Sequence, residues 1–314
     1  MNAPIMKARE VAYTRLRVPD LDRMEAFLND FGLTTVEKND HALFLRGAGP
    51  DYVVHVVEKG EAAFLGFALY ANSESDLEAL SASPDASDVA AIDEPGGGKR
   101  VILTDPDGFQ IEVIHRTQTH APLLQNTDPV NFGGRQERHG DTVRCPRQPA
   151  RVKRLGHVGI NVANLSRSWD WYYRHLGIVR SDGVGVGDKD FAYFCRFDRG
   201  EEFTDHHSVL LAQTFDEPGF NHCSFEVVDI NDIYVGNEHL EAQGYKHSWG
   251  IGRHTLGSQI FDYWRDPWGM IHEHFVDGDI MNAEHEFQIH GPDVGAASQW
   301  GPQMPSDFGR TVTD

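Results

Sequence analysis

Four times along the chain, alternation of hydrophobic and polar positions gives way to a helical stripe. Val11 to Val18 alternates as a strand, Asp20 stands as an N-cap, an amphipathic helix follows and Gly32 stops it. Leu155 to Ile178 repeats the plan in phase, with Asn164 as the cap and Gly177 as the stop. Two further openings, Phe64 to Tyr70 and Phe220 to Val228, lead into predicted helices over Glu74 to Leu80 and Ile230 to Ala242. Each pair closes on an Asp-Pro-x-Gly turn and an alternating strand, Asp105 to Glu112 and Asp266 to Glu273.

The pattern predicts an α+β chain of four strand-helix-strands units paired into two domains, residues 1–115 and 151–277. Residues 116–150 are rich in Pro, Gly, Asn and Gln, lack apolar periodicity and read as a linker. The tail, 278–314, turns polar again, yet Trp300, Met304 and Phe308 predict that part of it packs on the body or on a neighbouring subunit.

Composition narrows the class. At 314 residues the chain is long enough for two cored domains, and 48 acidic against 28 basic residues give a formal charge of −20. That balance excludes a nucleic-acid backbone or an anionic membrane surface as partner, and any anionic substrate must be caught by local groups. Cys145, Cys195 and Cys223 have no motif spacing, which fits a reducing cytoplasm. With no signal-peptide core at its start and no run of 18 apolar residues, the chain is expected to be soluble and not exported. The unusual figure is 17 histidines.

Most of these, including His115, His120, His139, His175, His239 and His247, read as surface or structural groups. Three positions differ because the repeat sets them at equivalent points: His157, His222 and Glu273. Two neutral imidazoles and a carboxylate on separate strands are the ligand set of a facial-triad Fe(II) site, whereas structural zinc calls for four closed ligands with thiolates. By strand alternation Glu273 faces one way and His272 and His274 the other, so an HxH ligand pair competes with Glu273. Glu112, at the same place in the first domain, favours Glu273. The first domain otherwise has Tyr13 and Gly66 where the histidines stand, and reads as a scaffold without a metal site.

These residues carry a resemblance to the type I extradiol ring-cleaving dioxygenases of the vicinal oxygen chelate superfamily, in their two-domain form, over about residues 8 to 280. The family signature stands here as Gly252-Arg-His254, then Tyr263-Trp-Arg-Asp266-Pro-Trp-Gly269, then Glu273, and the ligand order His, His, Glu matches His157, His222 and Glu273. The family's pocket histidine matches His207 in His206-His207-Ser208, with His206 on the opposite face as the competitor. One departure is Asp262, where a bulky apolar residue is usual; alternation turns it away from Tyr263, toward packing or a subunit contact.

The resemblance implies four βαβββ modules, each pair forming an open mixed-sheet barrel of the glyoxalase and bleomycin-resistance type. It implies Fe(II), with Mn(II) as the alternative ion, and cleavage of a catecholic ring by O₂ in aromatic degradation. His207 would steady charge on O₂ and shuttle a proton, while His254 and Tyr263 would hydrogen-bond the substrate oxygen. Phe191, Tyr193, Phe194, Phe203, Trp249 and Ile251 would wall the substrate, and a polyhydroxylated monocyclic ring such as a trihydroxytoluene is the suggested class. Family members are commonly homo-oligomers. Two other functions use the same fold: a metal-dependent glyoxalase-like lyase or isomerase, which usually brings a fourth ligand, and a non-catalytic binder of small ligands. Gly183 to Gly187 reads as a flexible hairpin over the site and not as a nucleotide loop.

Overall fold

A computed structural model describes residues 3–116, 118–123, 127, 129–295 and 297–312. The first module runs β1 (Val11–Val18), α1 (Leu21–Phe31), β2 (Thr34–Lys38), β3 (Ala42–Arg46) and β4 (His55–Lys59). The second runs β5 (Ala63–Tyr70), α2 (Glu74–Ser81), β6 (Ala90–Ala91), β7 (Lys99–Thr104) and β8 (Gln110–His115). The third has β9 (Val152–Asn161), α3 (Leu165–Leu176), β10 (Ile178–Val186), β11 (Lys189–Phe197), the short β12 (Thr204–Asp205) and β13 (Val209–Ala212). The fourth has β14 (Gly219–Val227), α4 (Ile230–Ala242), β15 (Lys246–His254), β16 (Ile260–Arg265) and β17 (Ile271–Val276). The tail adds β18 (Ile280–Met281), β19 (Gln288–His290), α5 (Pro292–Gly295) and β20 (Ser298–Trp300).

The caps behave as their chemistry dictates. The side chains of Asp20 and Asn164 accept from the backbone N–H of Arg23 and Arg167, and Gly32 and Gly177 close α1 and α3 in the left-handed region. Modules one and two share an eight-stranded sheet of order β2-β3-β4-β1-β5-β8-β7-β6. Modules three and four share a ten-stranded one, β19-β10-β11-β13-β9-β14-β17-β16-β15-β20. Both are mixed: the central pair β1 and β5, like β9 and β14, is antiparallel, while β5–β8 and β14–β17 are parallel. The tail strands β19 and β20 extend the second sheet at its two edges. They are three residues each and held by backbone pairing, so they left no alternating signature in the sequence.

The two sheets pack through shared helices around one core. From α1, Phe27 meets Tyr245 with ring centres 5.1 Å apart, and Phe31 stacks on His274 at 3.7 Å. From α3, Tyr172 stacks with Phe67 and its hydroxyl donates to Asp105 at 3.0 Å. Trp169, Trp171 and Tyr172 are buried and belong to this core. Asp262, the departure from the family pattern, is fully buried on the outward face of β16 and accepts from Trp264, His247 and Asn237.

Asp105 and Asp266 open the two Asp-Pro-x-Gly turns, each carboxylate accepting backbone N–H groups across its turn. Tyr172 satisfies the second oxygen of Asp105, whereas Oδ2 of Asp266 is buried without a hydrogen-bond partner among the described residues. Burial pushes the Asp266 carboxyl up to about 7, against the pull of those N–H donors. A native pKa above the unfolded value of about 3.9 means the folded state holds the extra proton, so this group's contribution to stability falls as pH rises from about 4 to 7. Asp266→Asn should therefore match the wild type in urea unfolding at pH 4.5 and exceed it at pH 7.5 by roughly 2–4 kcal/mol; equal differences at both pH values would contradict the assignment.

Candidate metal centre

Strand register assembles the candidate ligands. Ser224 in β14 lies opposite His157 in β9 on one side and Glu273 in β17 on the other, and His222 stands two residues from Ser224 on the same face. His157 Nε2 comes within 2.9 Å of His222 Nε2 and 3.1 Å of Glu273 Oε2, and His222 Nε2 lies 3.7 Å from the same oxygen. Cis ligands of an octahedral ion with bonds of about 2.1 Å stand about 3.0 Å apart, so the donor set fits such an ion. Glu273 has no exposure, and neither of its oxygens meets a donor in hydrogen-bonding geometry, although His157 is close. Ligand-type atoms of three side chains converge on one point.

The surroundings fix the tautomer of His222. Its Nδ1 donates to Asn221 Oδ1 at 2.7 Å, which leaves the lone pair on Nε2, the nitrogen facing the other ligands. Asn221 Nδ2 donates to Asn161 Oδ1, and Asn161 Nδ2 donates to the carbonyl of Gly309 in the tail. A Cβ at position 159 would lie 2.8 Å from Cε1 of His222, so Gly159 leaves room for the ring. Burial, with the neighbouring His157 imidazole, holds the His222 imidazole down to about 3, a neutral ligand. Burial opposes ionisation of Glu273, but His157, His254 and His222 overcome it and hold the carboxyl below its usual range.

The first sheet repeats the register with different chemistry. Ala68 in β5 lies opposite Tyr13 and Glu112, as Ser224 lies opposite His157 and Glu273. Glu112 is buried, but here it accepts from Tyr13 at 2.9 Å, Arg15 at 2.7 Å and Arg100 at 2.8 Å. At the position of His222, Gly66 has φ 151°, and a Cβ there would sit 1.7 Å from the carbonyl oxygen of Gln110. No side chain fits, and guanidinium groups supply the positive charge.

Around the candidate triad, the structure gathers the other singled-out residues. The His207 ring centre is 4.2 Å from that of His157. His206 points away: its Nε2 donates to Asp182 at 2.8 Å, and its Nδ1 meets Nδ1 of His207 at 3.0 Å. His290 Nε2 donates to the other oxygen of Asp182. Burial works against the Asp182 charge, yet these two imidazoles hold its carboxyl below the usual range. When His206, bound to Asp182 through Nε2–H, accepts at Nδ1, His207 donates from Nδ1 and keeps Nε2 free. Burial and the neighbouring imidazoles of His157 and His206 hold His207 well below its ordinary value. His254 Nε2 lies 2.9 Å from the hydroxyl of Tyr263, and burial with the Glu273 charge pushes that phenol well above its usual range.

His157, His207, His222, His254 and Tyr263 face a cavity of about 560 Å³, while Glu273 is sealed behind the histidines. Phe191, Phe194 and Trp249 line it as expected, but Tyr193, Phe203 and Ile251 do not. Tyr193 alternates away from Ala192 and Phe194 and packs against Trp169 and Arg180, while Phe203 lies exposed on a loop. Gly183 and Gly185 pair within β10. Phe308 from the tail closes the cavity, 4.8 Å from the Tyr263 ring and 5.0 Å from Trp249. Nothing local in the sequence signals Asp182 or the amide chain of Asn161 and Asn221, and Phe308 stands out there only as an apolar residue of the tail.

Asn221→Ala should weaken metal affinity about 10–100-fold by freeing the His222 ring, read by competition against a metal indicator; unchanged affinity would remove the amide chain from the site. Arg15→Met strands the Glu112 charge and should cost about 3–5 kcal/mol in urea unfolding without altering metal content. A cost below about 1 kcal/mol would show that Arg100 suffices.

Residues 10–113 and 154–273 each match the family model described as Glyoxalase/Bleomycin resistance protein/Dioxygenase superfamily. Metapyrocatechase 2 of Cupriavidus necator is 30% identical over 321 residues, spanning 99% of this chain and 95% of that protein. Homoprotocatechuate 2,3-dioxygenase from Arthrobacter globiformis has the same fold, with a TM-score of 0.80 at 20% identity over 99% of this chain and 94% of that one. So does a Mn(II)-bound glyoxalase from Novosphingobium aromaticivorans, with a TM-score of 0.79 at 24% identity over 98% and 96%. With both halves matched by one family model and a full-length metapyrocatechase relative, the chain belongs to the glyoxalase, bleomycin resistance protein and dioxygenase superfamily, as an extradiol dioxygenase.

Proposed function

We propose that the chain opens a catecholic or polyhydroxylated aromatic ring beside its two hydroxyls, using O₂ and a mononuclear Fe(II) held by His157, His222 and Glu273. The observation that carries this reading is the meeting of one carboxylate and two imidazoles, at separations suited to an octahedral ion, with a cavity flanked by three proton-handling side chains. Bound there, Fe(II) supplies a centre where both substrate oxygens and O₂ meet and through which electrons pass from ring to O₂; Mn(II) suits the same donors.

The chain's own residues then divide the proton work. Tyr263 stays a phenol and donates to a substrate oxygen, while His254 beside it orients that hydroxyl and favours a singly ionised catechol. His207, neutral and with Nε2 free, takes up and returns a proton and steadies negative charge on O₂. His206 and Asp182 act behind it as positioning residues. Phe191, Phe194, Trp249 and Phe308 offer flat apolar walls to a monocyclic ring, and the metapyrocatechase relative supports a catechol; a trihydroxytoluene is our preferred class. Among the described residues no helix is long and apolar enough to cross a membrane. Three free cysteines support a cytoplasmic setting, and exposed Phe203 and Ile280 suit a homo-oligomer contact.

Anaerobically purified protein loaded with Fe(II) should consume equimolar O₂ and yield a yellow ring-fission product with some member of a substituted-catechol panel. Turnover of a catechol-free substrate without O₂ would favour a glyoxalase-like activity instead. His207→Ala should leave the iron content unchanged and slow turnover by about 10²–10⁴-fold; undiminished turnover would remove His207 from the mechanism.

A further inference from the structure

Behind the triad, on the other face of the same two strands, ligand-type atoms converge a second time. Cys223 follows His222 in β14, His272 precedes Glu273 in β17, and the two are paired in register. Alternation turns both toward the first sheet, where β4 presents His55. One ligand atom from each of the three comes within 4.8 Å of the other two, and all three residues are fully buried. Aromatic rings wall the place: Phe225 lies 5.7 Å from His55, and Phe27 and Phe31 lie 5.3 and 5.7 Å from His272.

An imidazole nitrogen in such a wall has no water to turn to. Nevertheless, Nε2 of His55 and Nε2 of His272 have no hydrogen-bond partner among the described residues. Each orphaned nitrogen carries its full desolvation penalty if nothing meets it. The opposite nitrogens are occupied. Nδ1 of His272 donates to the carbonyl of Met270 at 3.4 Å, and Nδ1 of His55 bonds Oγ1 of Thr14. The Thr14 hydroxyl in turn hydrogen-bonds Cys223. If His55 donates to Thr14 and Thr14 to the sulfur, both histidines carry their proton on Nδ1 and a lone pair on Nε2. That is the tautomer of an imidazole ligand held from behind.

We propose that His55, Cys223 and His272 form a second, structural metal site for a thiophilic d¹⁰ cation, Cu(I), which three donors suffice to hold, or a Zn(II) short of its usual fourth ligand, and that this ion ties β4 of the first sheet to β14 and β17 of the second. The donors differ in kind from the triad: a soft thiolate replaces the carboxylate, which selects against the ion the triad prefers. On binding, the Cys223 thiol loses its proton to solvent, gives up its weak 3.9 Å contact with the Ile271 carbonyl, and forms a metal–sulfur bond. No electron changes hands. Full burial suits a closed site filled as the two sheets come together during folding.

The test uses the full chain carrying His157→Ala and His222→Ala, which disables the triad, together with Cys145→Ser, which removes the exposed thiol. Produced in Zn(II)-supplemented medium and desalted, it should retain about one Zn(II) or Cu(I) per chain by elemental analysis. Produced with Co(II), it should show a thiolate-to-cobalt charge-transfer band in the near ultraviolet. Adding Cys223→Ser should abolish both. The band is read in the folded triad variant itself, so the outcome does not depend on whether the further variant folds. A folded triad variant without metal and without the band, or metal retention indifferent to Cys223→Ser and His55→Gln, would overturn the proposal.

Discussion

The molecule is organised around carboxylates that cannot reach water. Glu112 and Glu273 occupy equivalent positions on the third strand of each sheet's central trio, both buried, and a buried negative charge must be met by a positive one. The first sheet meets it with Arg15 and Arg100. The second surrounds it with imidazoles, of which burial holds His222 neutral, and with no guanidinium, so the arrangement suits a cation from outside. One fold, one register and one carboxylate thus give a sealed ion pair in the first half and a cluster of candidate metal ligands in the second.

Everything near the second carboxylate serves convergence. Register places Ser224 between His157 and Glu273, Gly159 clears space for the His222 ring, and Asn221 holds that ring from behind. The same pleat that turns His222 and Glu273 toward His157 turns Cys223 and His272 toward the sheet interface. A slip of one residue in β14 or β17 would exchange the two sets, so packing of Phe27 and Phe31 against the back face also protects the front.

What could be read from the sequence was local or periodic. The caps at Asp20 and Asn164, the glycine stops, the helix Ile230–Ala242 and both Asp-Pro-x-Gly turns lie where hydrophobic pattern and cap chemistry put them. Internal duplication made Tyr13 and Gly66 comparable with His157 and His222, and the signature around Tyr263 marked the likeness to a known family. Pocket walls were harder, because they depend on which face of a strand a bulge leaves inward: Tyr193 was expected inside and is outside. Longer-range partners were not legible at all. Asp182 reaches His206 across the fold, Asn161 and Gly309 support His222 only through Asn221, and the apolar residues of the tail signal packing but not that they cover a cavity.

The cramped backbone at Gly66 gives the difference between the two halves a direction. Exchanging Tyr13 for histidine and removing two arginines would alter side chains alone, but a ligand at position 66 needs β5 and β8 to part, since any Cβ there strikes the carbonyl of Gln110. The strands are bonded in register at that point. Substitution by substitution, a metal-binding half can drift into a salt-bridged one, while the return path is blocked by main chain. Such asymmetry works as a ratchet: while β5 and β8 stay paired at Gly66, the first half has no room for a second histidine on that face.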